Sequence, residues 1–236
     1  MAIVFLSDVH LSARAPAITE AFLKTLAAFC AQPPEAVFIL GDLFDLWCGD
    51  RAADAFAWEI AAQLRALTRY CPVFFQRGNR DFLLGKRFLA ASGMVLLPDR
   101  YLFDYREKQI LLEHGDLLCS DDKAYQRLRR ILRSALLIHC VDKLPIFISV
   151  FVGRFLRQKS QRKTAQKSPQ IMDVNADTVQ LLMQRYGADV LIHGHTHRPA
   201  VHDLAAGKQR IVLGNWRPHG EILQWNQARQ LTIFHV

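Results

Sequence analysis

Several short stretches of this chain end an apolar run on groups that could hold a metal ion: "IVFLSDVH" (3–10), "VFILGDLFD" (37–45), "RGNRD" (77–81), "EHGD" (113–116) and "VLIHGHTH" (190–197). They supply Asp8, His10, Asp42, Asn79, His114, Asp116, His195 and His197. Carboxylate, carboxamide and imidazole donors without cysteine favour Mn(II), Fe or Zn over an all-oxygen Mg or Ca site. There are too many donors for one ion, and two ions are the economical reading. An aspartate can bridge two ions ~3.5 to 4 Å apart and hold a water whose pKa falls toward neutrality. Asp45 and Asp81 read as outer or helix-capping groups, and His193 reads as a core histidine.

The elements that must position these groups form an α/β layout. Strands are expected at 2–7, 36–40, 72–76, 101–105, 109–113, 189–193, 210–213 and 231–235, each rich in Val, Ile, Leu or Phe. "AITEAFLKTLAAFC" (17–30) and "DAFAWEIAAQLRALTRYC" (54–71) carry apolar residues at three-to-four spacing and are expected to be helices. In open α/β sheets, ligand-binding residues collect beyond the carboxyl ends of strands, where all these donors fall.

The remaining features bound the class. A chain of 236 residues, 51% apolar, is long enough for one domain with an insertion. Five scattered cysteines (Cys30, Cys48, Cys71, Cys119, Cys140) contain no C-x-x-C pair. That argues against a disulfide framework and against a thiolate zinc site, and a reducing cytosol is expected. The N-terminal stretch reaches Asp8 with no basic region before it, so it reads as a first strand and not as a signal peptide.

The charge is concentrated. Residues 121 to 167 hold twelve Lys and Arg against three Asp, a net +9 within a chain whose total is +8. No strand signal interrupts this segment, so 121–168 is expected to be a helical cap inserted into a core formed by 1–120 and 169–236. Its middle, "LPIFISVFVGRFL" (144–156), is apolar but contains Arg154 and falls short of the ~20 residues a membrane span needs. It suits a helix lying at an anionic membrane surface, or a buried helix with a solvated basic face. A basic stripe could also track nucleic acid, although the interleaved residues are aliphatic more than aromatic.

The ordered set "SDVH", "GDLFD", "GNRD", "EHGD" and "GHTH" resembles the calcineurin-like metallophosphoesterases over residues 3 to about 215. The resemblance implies a four-layer α/β/β/α sandwich with a di-metal centre. It would place Asp8, His10 and His197 on one ion, Asn79, His114 and His195 on the other, and Asp42 between them. Arg80 departs from the family, which commonly has histidine there as a candidate proton donor. Arginine, with a pKa above about 12, only binds charge. That suits a leaving group that needs no proton, such as a phosphate cut from a diphosphate, whose second pKa is about 6. Alternatively, Arg80 forms an ion pair with Asp81 or Asp122.

"GNRDF", "SDVHL", "GDLFDLW", "HGDLLCSDDKAYQRLR" and "GHTHRP" are similar to one branch of the family, the bacterial UDP-2,3-diacylglucosamine pyrophosphatases of lipid A biosynthesis. That resemblance implies hydrolysis of UDP-2,3-diacylglucosamine to UMP and 2,3-diacylglucosamine 1-phosphate (lipid X), through a metal-activated water attacking the α-phosphorus. It implies two Mn(II) ions, and residence in the cytoplasm, peripherally bound to the inner membrane. Arg80, Asn79 and His195 would serve catalysis. Asn79, Arg80, Asp122, Tyr125, Ser160, Thr164, Lys167 and His195 would contact substrate. The cap would receive the acyl chains, with Leu136, Leu137, Ile146, Phe147, Val150 and Phe151 as candidate lining residues. Another di-metal phosphoesterase, a nuclease or nucleotide phosphatase, is the alternative, and a non-catalytic binding scaffold a further one. No nucleic-acid partner is expected.

Overall fold

The first strand already shows how the molecule is layered. In β1 (Ala2–Leu6), Val4 and Leu6 face one apolar cluster while Ile3 and Phe5 face another, as the two-residue period of a strand requires. A computed structural model describes residues 2–165, 173–217, 220–226 and 231–235, with only the backbone described at 142, 159–165 and 231–235.

β1 pairs in parallel with β2 (Ala36–Leu40), which continues to β3 (Val73–Gln76) and the short β4 (Val95–Leu96). Its other edge pairs antiparallel with β10 (Glu221–Asn226) and then β11 (Leu231–His235), completing a six-stranded sheet. The second sheet has five strands in the order β5 (Arg100–Tyr105), β6 (Lys108–Glu113), β7 (Val190–His193), β9 (Gln209–Val212), β8 (Ala200–Asp203).

The sheets face each other across Ile3, Phe5, Phe38, Leu40, Ile110, Leu112 and Ile192. Phe38 is the centre of that layer, with its ring 5.2 Å from Phe5, 4.9 Å from Phe74 and 5.2 Å from Phe103. The outer face of the first sheet is covered by α1 (Pro16–Ala31), α2 (Ala55–Leu67) and α3 (Lys86–Ser92) through Phe22, Leu26, Ile60, Leu64 and Phe88. The outer face of the second is covered by α7 (Ala176–Tyr186) through Val179, Leu182 and Met183. The result is the α/β/β/α sandwich.

Between β6 and α7 the described chain is helical: α4 (Lys123–Leu132), α5 (Ala135–Lys143) and α6 (Ile146–Ala165). Side chains start the first two helices. Asp122 accepts from the Tyr125 amide at 3.1 Å, and Ser134 accepts from the Leu137 amide at 3.4 Å. Among the described residues no helix is long and apolar enough to cross a membrane.

Candidate metal centre

Five loops at the carboxyl ends of β1, β2, β3, β6 and β7 meet at one edge of the sandwich. The backbone there is bent as few side-chain-bearing residues allow: φ is 53° at Asp8, 57° at His10, 54° at Asp42, 69° at His195 and 55° at His197. Such left-handed positions cost ~1 to 3 kcal/mol each and persist only where the surroundings over-determine them. The loops also approach too closely for side chains at two glycines. A Cβ on Gly78 would strike the Asp42 carboxylate, and one on Gly194 would strike Ser7 Oγ and the Asp8 carboxylate.

Two groups of donor atoms result, with Asp8 common to both: Asp8, His10 and His197, and Asp8, Asp42 and His114. In the first, Asp8 Oδ1 lies 3.1 Å from His197 Nε2 and 3.8 Å from His10 Nε2, and the two Nε2 atoms are 3.3 Å apart. Among the described residues His10 Nδ1 is buried without a hydrogen-bond partner. Burial, with the Arg80 charge adding to it, lowers His10 to about 2, so its ring is neutral and offers a lone pair.

In the second group, His114 Nδ1 lies 2.8 Å from the Leu40 carbonyl and can donate only in that direction. Nε2 faces Asn79 Oδ1 at 3.0 Å and Asp42 Oδ1 at 3.7 Å, and although burial opposes it, the Asp42, Asp8 and Asp116 carboxylates raise the ring above the usual histidine range. Imidazole and carboxylate atoms converge at both places, a donor set that a divalent cation fits.

The carboxyls carry the same message. Burial pushes Asp42 up to about 7, with His114 and Arg80 opposing and the Asp81 and Asp8 charges adding. Burial also pushes on Asp8, but the His197 hydrogen bond and the His114 and His197 imidazoles facing it outweigh it and hold Asp8 well below the usual range. Packing these carboxylates together without a cation is expensive. The donor set therefore fits divalent ions.

Asp42 also approaches the first group, with Oδ2 4.0 Å from His10 Nδ1. His195 stands beside the second: its amide donates to Asp8 Oδ2 at 2.8 Å, and its ring centre is 5.0 Å from that of His114. Burial and the His114 charge lower it to about 4, so it is neutral. His193 lies in the core, with Nδ1 2.9 Å from the Gly194 carbonyl and Nε2 3.3 Å from Arg210 Nη1.

Arg80 pairs with neither Asp81 nor Asp122. Its Nε lies 3.3 Å from Asp42 Oδ2 and its Nη1 2.5 Å from Asp45 Oδ1. Asp81 is occupied with the backbone, accepting from Gly78 (2.8 Å), Leu43 (2.7 Å) and Asp42 (3.3 Å), and so ties the Asp42 loop to the Asn79 loop. Asp122 caps α4.

Tyr125 donates to Asp116 Oδ2 at 2.7 Å and stacks its ring 6.3 Å from that of His195. Asp116, a donor candidate from its place in "EHGD", belongs to neither group of converging atoms among the described residues and serves Tyr125 and Arg129. The side chains of Ser160 and Thr164, and all of Lys167, lie outside the described residues.

Arg157 on α6 has no role legible in the sequence, where it is one basic residue among many. In the structure it donates to Asp45 Oδ1 at 2.8 Å, so one carboxylate holds both it and Arg80. Of the candidate acyl-chain residues, Ile146 lines a small cavity with Cys48, Leu83, Ile138 and Leu144. Ile146 is also partly exposed, and Leu136, Phe147 and Phe151 are more so.

The calcineurin-like phosphoesterase family matches residues 1–199, and the chain belongs to that family. Membership implies divalent metal binding. A UDP-2,3-diacylglucosamine hydrolase from Sodalis glossinidius is 44% identical over 227 residues, covering 95% of this chain and 94% of the relative. One from Shewanella loihica is 45% identical over 225 residues, covering 94% and 91%. Among solved structures, an archaeal phosphodiesterase aligns over all of both chains with a TM-score of 0.51 at 14% identity, a likeness of fold alone.

Proposed function

We propose that this chain hydrolyses the diphosphate of UDP-2,3-diacylglucosamine to UMP and 2,3-diacylglucosamine 1-phosphate, a step of lipid A biosynthesis, with two Mn(II) ions as cofactors. The observation that carries this reading is the 44–45% identity, over nearly the whole length, to relatives bearing that hydrolase's name. Asp8, His10 and His197 would hold one ion and Asn79, His114 and His195 the other, with Asp42 between them. When bound, the ions would lower the pKa of a water and neutralise phosphoryl oxygens.

The chain's own groups supply the rest. His10 and His195 are kept neutral by burial and available as ligands. Arg80 reaches into the site from its contacts with Asp42 and Asp45, and its guanidinium would bind phosphoryl oxygens as substrate enters. It delivers no proton, and the phosphate leaving from a diphosphate needs none. Asn79 and His195 would steady the same oxygens, with Asp122, Tyr125, Ser160, Thr164 and Lys167 around the sugar phosphate and acyl amides. The cap, residues 121–168, would take the acyl chains and lie against the anionic cytoplasmic face of the inner membrane, where the substrate resides.

Hydrolysis in oxygen-18 water tests the attacked atom. Attack at the α-phosphorus puts the label in UMP, and label in the sugar phosphate would overturn that assignment.

A further inference from the structure

The first cap helix is attached to the core in an unusual way. None of the described residues of α4 is fully buried. Tyr125, Arg129 and the C-cap Arg133, spaced one turn apart, hold it instead, together with Gln126, which donates to the Asp116 carbonyl at 2.7 Å and the Cys119 carbonyl at 3.1 Å. The Tyr125 hydroxyl donates to Asp116 Oδ2 at 2.7 Å, and Arg129 Nε donates to the same oxygen at 2.6 Å. Arg133 Nη2 lies 3.6 Å from that oxygen and donates to the Gly78 carbonyl at 2.8 Å. Behind them, Asp99 accepts from Arg129 Nη2 at 2.8 Å and from Arg133 Nη1 at 2.9 Å.

These attachment points lie on the ligand-bearing loops themselves. Asp116 is two residues beyond His114, and the Gly78 carbonyl belongs to the peptide that joins Gly78 to Asn79. Gly78 is the residue whose backbone would otherwise be freest. Both its sides are held: its amide by Asp81 Oδ1 at 2.8 Å and its carbonyl by Arg133. A charge-assisted hydrogen bond to a carbonyl fixes the plane of the peptide. That plane sets the direction of Asn79, whose Oδ1 faces His114 Nε2 at 3.0 Å.

We propose that Arg133, backed by Arg129 and Asp99, is a positioning residue: it holds the Gly78–Asn79 peptide so that Asn79 faces the metal centre, which couples docking of the cap helix to metal binding. The turnover consequence rests on the proposed hydrolase reading, whereas the metal-binding consequence does not. A plain tether would behave differently. Loosening it would raise KM for a long-chain substrate and leave the metal centre alone.

The test uses the full chain with Arg133→Met, an unbranched side chain with no donor, which also removes the guanidinium 6.0 Å over the Phe82 ring. Mn(II) affinity is read from the electron paramagnetic resonance signal of the free ion, and turnover from bis(4-nitrophenyl) phosphate, a diester too small to need the cap. The expected result is a loss of about 10- to 100-fold in Mn(II) affinity, with diester turnover falling alongside it. Arg133→Lys, which can serve Gly78 or Asp99 but not both, should lose less, and it decides the matter if the Met variant does not fold. Wild-type Mn(II) affinity in the folded variant, with only KM for the lipid substrate changed, would overturn the proposal. Failure of the wild-type protein to cleave UDP-2,3-diacylglucosamine would remove the proposed substrate, yet the Mn(II) titration would still decide the role of Arg133.

Discussion

Arg80 is the residue on which the proposed chemistry of this site turns. Its Nε and Nη1 lie against Asp42 and Asp45, so it neutralises part of a crowded acidic cluster. A phosphoryl group arriving there competes with two carboxylates for one planar fork. Arg80→Ala is expected to lower kcat by about 10²- to 10³-fold, the usual loss when one donor to a developing oxyanion is removed. Arg80→Lys should recover only part of it, because an ammonium cannot serve two directions as a guanidinium does. Steady-state kinetics on each variant would check this, and a kcat within twofold of wild type in Arg80→Ala would contradict it. The sequence shows that Arg80 can only bind charge, whereas its partners are visible only in the fold. Asp45 is thirty-five residues away and shared with Arg157 from another element, a pairing that no local pattern encodes.

At the scale of elements, legibility follows burial. β1, β2 and β7 are buried along most of their length, so each reads as an apolar run that stops close to its candidate ligand. β4 has two residues and β8 is largely exposed, so neither carries such a run; β10 and α3 also lay outside the expected elements. The anchoring of α4 was hidden for a different reason. Arg129 and Arg133 sit in a basic stretch where every residue looks solvated, and Asp99 is thirty or more positions away. α6 makes a prediction of its own. Phe147, Phe151 and Phe155 recur every fourth residue and are 74%, 71% and 54% exposed, with Arg154 beside them. Under the proposed membrane contact such a stripe would face lipid, each ring contributing about 1.5 to 3 kcal/mol when fully buried. Cosedimentation with anionic vesicles should therefore fall about tenfold or more in Phe147→Ser/Phe151→Ser. Unchanged binding would contradict the proposed contact of this stripe with a membrane.

Across the whole molecule, the proposed division of work is between the sandwich and the helices α4 to α6. Two sheets locked through Phe38 hold five loops rigidly enough to keep Asp8, His10, Asp42, His195 and His197 in left-handed backbone. The cap brings Tyr125 over His195 and Arg157 onto Asp45, so a substrate bound beneath it would touch both units. The deciding measurement is the hydrolysis of UDP-2,3-diacylglucosamine by the purified protein with and without Mn(II), the products identified by phosphorus NMR. Metal-dependent appearance of UMP and 2,3-diacylglucosamine 1-phosphate is the expected result. Cleavage of a generic phosphodiester with the lipid nucleotide left intact would contradict it, leaving the family and its metal centre but not this substrate.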